Sequence, residues 1–388
     1  MYRKFKATNI FDGYQMLPAE MVLFTSADGA IVDIVNEKDA GDDILSLEGI
    51  LCPGFINAHC HIELSHMKGL IPQKTGLVEF VQQVIKKRQA GQDEKMAAMQ
   101  EAEKEMCNDG IVAAGDICNT TDSIELKKKS RLRWHNFIEV TGFVDAVAEK
   151  RLAEIEEIAC EFQQLSSSNS QPSTIVPHAP YSVSKKLFQL LNEKTENEVI
   201  SIHNQEAAAE NELYQTKTGK FLELYKNLGI DISGFGSTGK TSFQSWLPMF
   251  TNQQQIISVH NSFINEADLQ SPTINHQPLS FCLCPHANLY IEDRLPPVDM
   301  FIKNNCNIVL GTDSLASNQK LSISSEISLI LQHFPHIDIS AILRWATING
   351  ARALRLDKEL GSFEKGKTPA VLLLSPFTQA GFTVEKLV

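Results

Sequence analysis

Eight short apolar segments alternate with amphipathic stretches through most of the chain after residue 50. The apolar segments are 51–58, 111–116, 134–140, 174–178, 199–203, 255–260, 279–283 and 307–312. The amphipathic stretches repeat apolar residues every three or four positions, as helices do, and include 77–106, 146–164, 184–195, 206–227, 297–305, 322–333 and 339–354. Eight β-then-α units predict an α/β chain folded as a (β/α)₈ TIM barrel over residues 51–355.

The two ends of the chain show a different pattern. Residues 1–50 contain short β segments separated by turn residues such as Asp12-Gly13 and Asp28-Gly29, and turn-plus-strand character returns after residue 355. We therefore expect residues 1–50 and 356–388 to form one small composite β-sandwich domain beside the barrel domain.

Composition narrows the class of protein further. The 388 residues carry a net charge of −12, which argues against a nucleic-acid partner or an anionic membrane surface. The N-terminal residues lack a secretory signal, and no apolar run approaches the roughly 18 residues that span a bilayer. Eight scattered cysteines favour reduced thiols over a disulfide framework. We expect a cytoplasmic protein that acts on a small molecule.

Histidine and aspartate side chains stand where the predicted strands end. The residues at these positions are His59, His61, His178, His203, His260 and Asp313. The carboxyl ends of the strands in a TIM barrel meet at one face, so these residues are predicted to surround a single axial site.

The spacing of His59 and His61 predicts a metal site. Residues two apart in a strand point to the same side, so both imidazoles can reach one ion. With His203 and Asp313 they offer three nitrogens and one carboxylate, which suit Zn²⁺ best and also Fe²⁺. Such an ion lowers the pKa of a bound water from ~15.7 towards ~7, which provides hydroxide at neutral pH.

Three residues are candidates for catalysis beside that ion. Glu206 follows His203 by three residues in a predicted strand-to-helix turn, where it can act as the proton shuttle. The alternative for Glu206 is a first-turn carboxylate that the helix dipole stabilises. His260 can orient the hydroxide or polarise the attacked centre, and Asp313 can also accept the water proton.

Seven segments together resemble a known superfamily. They are PGFINAHCHIELS, VPHAPYSVS, SIHNQEAAAEN, SVHNSF, CPHANLYI, GTDSLASN and GSFEKGKTPAVLLL. In this order they resemble the amidohydrolase superfamily, and most closely its mononuclear deaminases of S-adenosylhomocysteine, methylthioadenosine, guanine and aminodeoxyfutalosine.

That resemblance implies roles for individual residues. It implies that His59, His61, His203 and Asp313 are the metal ligands, that Glu206 and His260 are catalytic, and that His178 contacts the substrate ring. It also implies the β-sandwich and a homodimer or larger assembly. Dinuclear members carry a carboxylated lysine where this chain has His178, which favours one metal and a deaminase over a cyclic amide hydrolase. The tail departs from the relatives' GKxAD pattern at Thr368-Pro369.

The expected substrate is a 6-aminopurine nucleoside such as aminodeoxyfutalosine, S-adenosylhomocysteine or adenosine. Metal-bound hydroxide would attack the ring carbon and release ammonia. Glu63, in a segment similar to that of aminodeoxyfutalosine deaminases, and Glu139 could accept ribose hydroxyls. The alternative for each is a solvated loop residue or a helix-capping residue. The alternative substrates are guanine, a pyrimidine or a triazine-like ring, with deamination or dechlorination.

Residues 234–241, GFGSTGKT, match the phosphate-loop pattern and give a remote alternative, an NTP-binding protein. A functional phosphate loop follows a buried strand and opens a helix, whereas an amphipathic helix precedes this segment. We expect a glycine-rich loop before the sixth strand, with residues 231–241 placed as a lid over the barrel mouth.

Overall fold

The computed structural model describes residues 2–169, 171–270, 278–378 and 381–388. Its first seven strands are short and precede the barrel. They are β1 (Arg3–Lys6), β2 (Asn9–Phe11), β3 (Met16–Leu17), β4 (Met21–Thr25), β5 (Ile31–Asn36), β6 (Leu45–Ser46) and β7 (Ile50–Pro53).

Eight parallel strands follow. They are β8 (Phe55–Cys60), β9 (Ile111–Cys118), β10 (Arg133–Val140), β11 (Ser173–Pro177), β12 (Val199–Asn204), β13 (Gln255–His260), β14 (Leu279–Leu283) and β15 (Asn307–Leu310). The strands pair in sequence order as two groups of four, β8 to β11 and β12 to β15. All of them are largely buried, which explains why the sequence shows continuous apolar runs rather than alternation.

Backbone hydrogen bonds join the two groups of strands at both seams. At one seam the amide of His203 donates to the carbonyl of His178 over 3.0 Å. At the other, the amides of Thr312 and Asp313 donate to the carbonyl of His59 over 2.9 and 3.2 Å. The strands therefore surround a common axis, and the predicted (β/α)₈ barrel is confirmed.

Helices and short 3₁₀ turns connect the strands. The helices are α1 (Leu77–Lys87), α2 (Gln92–Asn108), α3 (Ile124–Lys127), α4 (Ala148–Asn169), α5 (Lys185–Lys194), α6 (Ala208–Thr216), α7 (Phe221–Asn227), α8 (Ser242–Trp246), α9 (Glu266–Leu269), α10 (Pro285–Glu292), α11 (Val298–Lys303), α12 (Ile323–His333), α13 (Ile339–Ala346) and α14 (Ile348–Ala353). Within the described ranges, no helix combines the length and apolar character needed to cross a membrane.

Three predicted helices are each divided in two. The predicted helix 77–106 breaks before α2, where Gly91 is extended with φ −63° and ψ 147°. The predicted helix 206–227 breaks at Lys217 and Gly219, whose φ values are 54° and 90°. The predicted helix 339–354 breaks at Thr347, with ψ −97°. Helical spacing of apolar residues continues across these points although the backbone turns there, so the sequence pattern did not show the breaks.

The first predicted barrel strand, 51–58, is also two strands in the structure. The chain leaves β7 after Pro53 and enters β8 at Phe55. Between them the amide of Gly54 donates to the carbonyl of Pro369 over 2.9 Å. A Cβ at Gly54 would lie 2.4 Å from a methyl group of Val112, so only glycine allows this close approach.

Strands from both ends of the chain share one sheet. The last two strands, β16 (Val371–Thr378) and β17 (Gly381–Lys386), extend it to the order β17-β16-β7-β2-β3, with Leu372 of β16 opposite Cys52 of β7. A second sheet has the order β5-β4-β1-β6. Side chains of both sheets form one apolar cluster, namely Phe5, Ile10, Leu23, Ile31, Leu51, Val371 and Leu373. The predicted β-sandwich is confirmed, while its division from the barrel after residues 50 and 355 stays a prediction.

Candidate active site

Four side chains converge where the barrel strands end. His59 lies in β8, His61 directly follows it, His203 lies in β12 and Asp313 follows β15. All four are buried, and one ligand atom from each lies within 4.8 Å of every other. The fold thus brings together the four residues that the sequence predicted as metal ligands.

The distances between these atoms suit a single small cation. Nε2 of His61 lies 3.1 Å from Nε2 of His59 and 3.2 Å from Nε2 of His203. Oδ1 of Asp313 lies 3.2 Å from Nε2 of His61 and 3.6 Å from Nε2 of His59. Ligands about 2.1 Å from a tetrahedral zinc ion are about 3.4 Å apart, so the observed separations fit.

The protonation states also suit metal binding. The Nδ1–H of His203 donates to the carbonyl of His178 over 2.8 Å, which leaves Nε2 with a free lone pair. Burial and the neighbouring imidazoles hold the pKa of His203 well below its usual value. Burial would raise the pKa of Asp313, but hydrogen bonds from His59 and His61 outweigh burial and hold it well below the usual value.

Unusual backbone conformations aim the side chains at the centre of the site. His260 and Asp313 have φ values of 70° and 57°, in the left-handed region that non-glycine residues rarely adopt. Ser317 donates a short hydrogen bond to Oδ2 of Asp313, which fixes the carboxylate with Oδ1 facing the histidines. Strain of this kind is typical of functional sites, because the surrounding structure has to maintain it.

Glu206 and His260 lie beside the four ligands. Nε2 of His260 is 3.7 Å from Oε2 of Glu206, and both side chains are buried. Burial lowers the pKa of His260 to about 3, so the imidazole is neutral at pH 7. The side-chain amide of Asn288 donates to Nδ1 of His260 over 3.1 Å, which places the proton on Nε2, the nitrogen that faces Glu206.

Glu206 has the properties of a proton carrier. Burial raises the pKa of its carboxyl well above the ordinary value, and the charges of Asp313 and Glu292 add to that rise. A carboxyl group with a raised pKa holds its proton more firmly, so it can bring a proton to the substrate and recover one later in the reaction. The alternative of a first-turn carboxylate loses support, because α6 begins at Ala208 and Glu206 precedes its N-cap residue, Ala207.

One cavity of about 1140 Å³ opens over this cluster. Its wall includes three of the four predicted ligands, both predicted catalytic neighbours and all three predicted substrate contacts, namely His61, His203, Asp313, Glu206, His260, His178, Glu63 and Glu139. The cavity lies at the carboxyl ends of the strands, where sites in TIM barrels form.

Glu63 is directed towards the loop after β9. One carboxylate oxygen accepts the backbone amides of Asn119 and Thr120 over 3.1 and 3.0 Å, and the other accepts the hydroxyl of Ser123 over 3.1 Å. Burial raises the pKa of Glu63 to about 7. Its hydrogen bonds therefore stabilise the wall of the cavity.

Glu139 and His178 retain free polar atoms. Oε1 of Glu139 accepts the side-chain amide of Asn119 over 2.8 Å, whereas Oε2 is buried with no hydrogen-bond partner among the described residues. Nδ1 of His178 bonds Ser182 over 2.7 Å, so Nε2 of the ring is the nitrogen left for another partner. Both residues can therefore contact a molecule in the cavity.

Comparison with protein families agrees with this geometry. The model of the amidohydrolase family matches residues 50–386, which is most of the chain. The chain belongs to the amidohydrolase family. The matched residues include every strand of the barrel and every residue of the cluster described above.

Individual relatives of this amidohydrolase carry deaminase names. This chain is 26% identical to 5-methylthioadenosine/S-adenosylhomocysteine deaminase of Pyrococcus abyssi over 341 residues. The match covers 83% of this chain and 73% of the other. The crystal structure of Helicobacter pylori aminofutalosine deaminase with methylthio-coformycin has a TM-score of 0.79 at 22% identity, covering 97% of this chain and 94% of that one. An adenosine deaminase from Xanthomonas campestris with bound zinc has a TM-score of 0.71 at 21% identity, covering 96% and 84%.

The amidohydrolase site also depends on residues that sequence reasoning did not single out. Asn288 lies in the CPHANLYI segment, which carried the resemblance without a role for this side chain. Asp116 accepts the backbone amide of Ile62, next to His61, over 2.7 Å, and Lys127 donates to Asp116 over 2.5 Å. The sequence does contain a signal for such residues, namely a polar residue inside an apolar run, such as Asp116 in IVAAGDIC.

The glycine-rich segment 234–241 lies between two helices. Helix α7 precedes it, where a phosphate loop would follow a strand, and α8 after it has five residues. The hydroxyl of Thr241 caps α8 and donates to Asp268 over 2.5 Å. This context gives the NTP-binding alternative no support. Gly229, Ile230 and Asp231 line the cavity, whereas 234–241 do not, so the lid prediction has support only at residue 231.

Proposed function

We propose that this amidohydrolase is a divalent-metal-dependent deaminase that converts the 6-amino group of an adenine nucleoside into an oxo group and releases ammonia. The observation that carries the proposal is the buried cluster of three imidazoles and one carboxylate with a proton carrier beside it, formed by His59, His61, His203, Asp313 and Glu206. Relatives over most of the chain are named as deaminases of adenine nucleosides.

The donor set fits one zinc ion, with ferrous iron as the other candidate. His59, His61, His203 and Asp313 would hold it. When bound, the ion supplies the Lewis acidity that makes a water molecule nucleophilic near neutral pH. The bound zinc in the adenosine deaminase from Xanthomonas campestris, which shares this fold, favours zinc.

Asp313 and Glu206 then carry out the proton transfers. As water adds to C6, Asp313 accepts a proton from it, and the protonated carboxyl of Glu206 donates to ring nitrogen N1. The Nε2–H of His260 donates a hydrogen bond to the attacking oxygen. Asp313 then donates the proton it accepted to the amino nitrogen, and the C6–N bond breaks. The hydroxyl proton on C6 returns to Glu206 as the C6=O bond forms. One water is consumed and one ammonia leaves, which gives the 6-oxopurine.

The remaining polar atoms suit the rest of a nucleoside. We assign Nε2 of His178 to the purine and Oε2 of Glu139, which has no hydrogen-bond partner among the described residues, to ribose hydroxyls. Glu63 would position Glu139 indirectly, because it holds the backbone of Asn119, whose side chain donates to Glu139. The cavity volume is above the range usual for drug-sized ligands, so a nucleoside with a substituent fits.

Ammonia release tests this proposal. Zinc-loaded protein is incubated with adenosine, S-adenosylhomocysteine, methylthioadenosine, aminodeoxyfutalosine, guanine and cytosine, and His203→Ala serves as the blank. We expect turnover of adenine nucleosides only, abolished by chelation and restored by zinc. Turnover of guanine or cytosine alone would assign a different ring. Absence of turnover by protein that retains its zinc would refute the nucleoside assignment.

A further inference from the structure

One buried carboxylate lies behind the wall of the cavity. Glu326 is in the first turn of α12, and its side chain is inaccessible to solvent. A buried carboxyl group is costly unless hydrogen bonds compensate for the lost water. Both oxygens of Glu326 accept hydrogen bonds, and the two donors lie in the segments that follow β14 and β15. Glu326 therefore connects two neighbouring loops of the barrel.

One oxygen of Glu326 holds the loop that carries Asp313, residues 312–318. Oε1 accepts the side-chain amide of Asn318 over 3.0 Å, and the same amide donates to the carbonyl of Thr312 over 3.0 Å. Oδ1 of Asn318 accepts the next backbone amide over 2.7 Å, which determines the direction in which the amide group faces. Asn318 thus joins the two ends of the loop, and Glu326 orients Asn318.

The placement of Asp313 depends on this loop. Its φ of 57° is a conformation that the surrounding structure has to maintain. Ser317, from the same loop, donates a short hydrogen bond to Oδ2 of the carboxylate. A shift of loop 312–318 would therefore move the carboxylate relative to the imidazoles of His59 and His61.

The other oxygen of Glu326 holds the start of α10. Oε2 accepts the backbone amide of His286 over 3.0 Å. Within the described residues the N-cap residue of α10, Cys284, makes no side-chain capping hydrogen bond, so a residue of α12 takes the place of a cap. The same helix carries Asn288, whose amide donates to Nδ1 of His260 over 3.1 Å.

We propose that Glu326 is a positioning residue of this amidohydrolase, which holds Asp313 and His260 in a fixed relation to each other. The inference rests on the deaminase function proposed above. Asp313 takes the proton of the attacking water and His260 donates a hydrogen bond to its oxygen, so their relative placement sets the path of the water to C6. The predicted substrate contacts lie at the ends of β8, β10 and β11, whereas both hydrogen bonds of Glu326 go to the loops after β14 and β15. Glu326 should therefore affect metal binding and kcat more than KM.

Glu326→Gln tests the proposal. The amide keeps the shape of the side chain but has one acceptor oxygen, so one of the two donors loses its partner. We expect zinc affinity, measured by competition with a chromophoric chelator, to fall by about 10- to 100-fold. The kcat for an adenine nucleoside should fall by a similar factor, with KM within about twofold of the wild type. In cobalt-substituted protein without substrate, the visible absorption bands should shift, because they report the geometry of the ligands around the ion.

Asp109→Asn is the matched control. Asp109 is also a buried carboxylate bound to α12, and it accepts the backbone amide of Ser324 over 3.1 Å. It holds the beginning of this helix and not the loops that carry Asp313 and Asn288. We expect this variant to lower the free energy of unfolding, with zinc affinity, kcat and cobalt spectrum as in the wild type. If Asp109→Asn shows the same losses as Glu326→Gln, the effect is one of helix stability and the proposal is wrong.

Asn318→Ala tests the link to the Asp313 loop separately and replaces Glu326→Gln if that variant does not fold. It should also weaken zinc binding and shift the cobalt bands. Wild-type zinc affinity and cobalt spectrum in the folded variants would overturn the role of Glu326. If the wild type deaminates no adenine nucleoside, the proposed function fails, whereas zinc affinity and the cobalt spectrum still decide whether Glu326 positions Asp313.

Discussion

At the scale of single residues, neighbouring groups determine which ring nitrogen of His203 and of His260 carries the proton. The carbonyl of His178 keeps the proton of His203 on Nδ1, and the amide of Asn288 keeps the proton of His260 on Nε2. Each neighbour therefore decides which ring nitrogen faces the centre. For Glu206, Oε2 lies 3.7 Å from Nε2 of His260, which is beyond hydrogen-bond distance.

Glu206→Gln should retain metal and lose turnover by about 10²- to 10⁴-fold, because the amide preserves the shape of the side chain but carries no transferable proton. Metal content by elemental analysis and kcat by ammonia release test this outcome together. Glu212→Gln, on the exposed face of α6, is the control and should behave as the wild type. A Glu206→Gln enzyme with near-normal kcat would remove Glu206 from the mechanism.

At the scale of elements, the loops after the strands are held by buried carboxylates. Glu210 in α6 accepts the backbone amide of Gln205 over 2.8 Å and a short hydrogen bond from Ser242. It thus joins the end of β12, the start of α6 and the first residue of α8. Its other oxygen is buried without a partner in the described residues, and burial raises the pKa of Glu210 from 4.5 to about 7.

This raised pKa predicts a specific pH dependence of stability. Between pH 4.5 and 7 the folded state holds a proton on Glu210 that the unfolded state releases, so the free energy of unfolding falls as pH rises. The loss attributable to Glu210 is up to about 3 kcal/mol. Glu210→Gln should remove this part of the slope in urea unfolding measured at several pH values, whereas Glu212→Gln should keep it. An unchanged slope in Glu210→Gln would contradict the assignment.

At the scale of the whole molecule, one fully buried ion pair connects the barrel wall to the outer helices. Nζ of Lys127 lies 2.5 Å from Oδ2 of Asp116, and both side chains are inaccessible to solvent. The ammonium also lies 5.1 and 5.2 Å from the ring centres of Trp134 and Phe162. Through Asp116 the pair reaches the amide of Ile62, the residue after His61 of the four predicted metal ligands.

Lys127→Met should destabilise the protein by about 3–5 kcal/mol, because it leaves the carboxylate of Asp116 buried without its cation. Urea unfolding measures this loss. Lys128→Met is the control, since its pair with Glu125 is exposed and such pairs contribute at most about 1 kcal/mol. Adding Asp116→Asn to Lys127→Met should recover part of the loss. A change below 1 kcal/mol in Lys127→Met would show that the pair is not needed for stability.

The sequence by itself determined the architecture and the grouping of the four predicted metal ligands. Eight apolar runs separated by helical periodicity predict a barrel, since each strand is buried on both faces. Once the barrel is predicted, a residue at the end of a run has a known location. His59, His61, His203 and Asp313 could therefore be grouped although up to 254 positions separate them along the chain. The local apolar pattern was sufficient for this grouping, together with the rule that the carboxyl ends of barrel strands meet at one face.

Only the tertiary structure decided the partners of the polar side chains. Glu63 bonds the loop around Asn119, and Asn288 holds His260. Tertiary structure also decided that the chain passes from β7 to β8 at Gly54, where Val112 and Pro369 leave no room for a side chain. The periodicity of apolar residues shows which side of a helix or strand is buried. Hydrogen bonds, in contrast, depend on distances of a few ångströms between segments that are far apart in the sequence, and packing of the chain sets those distances.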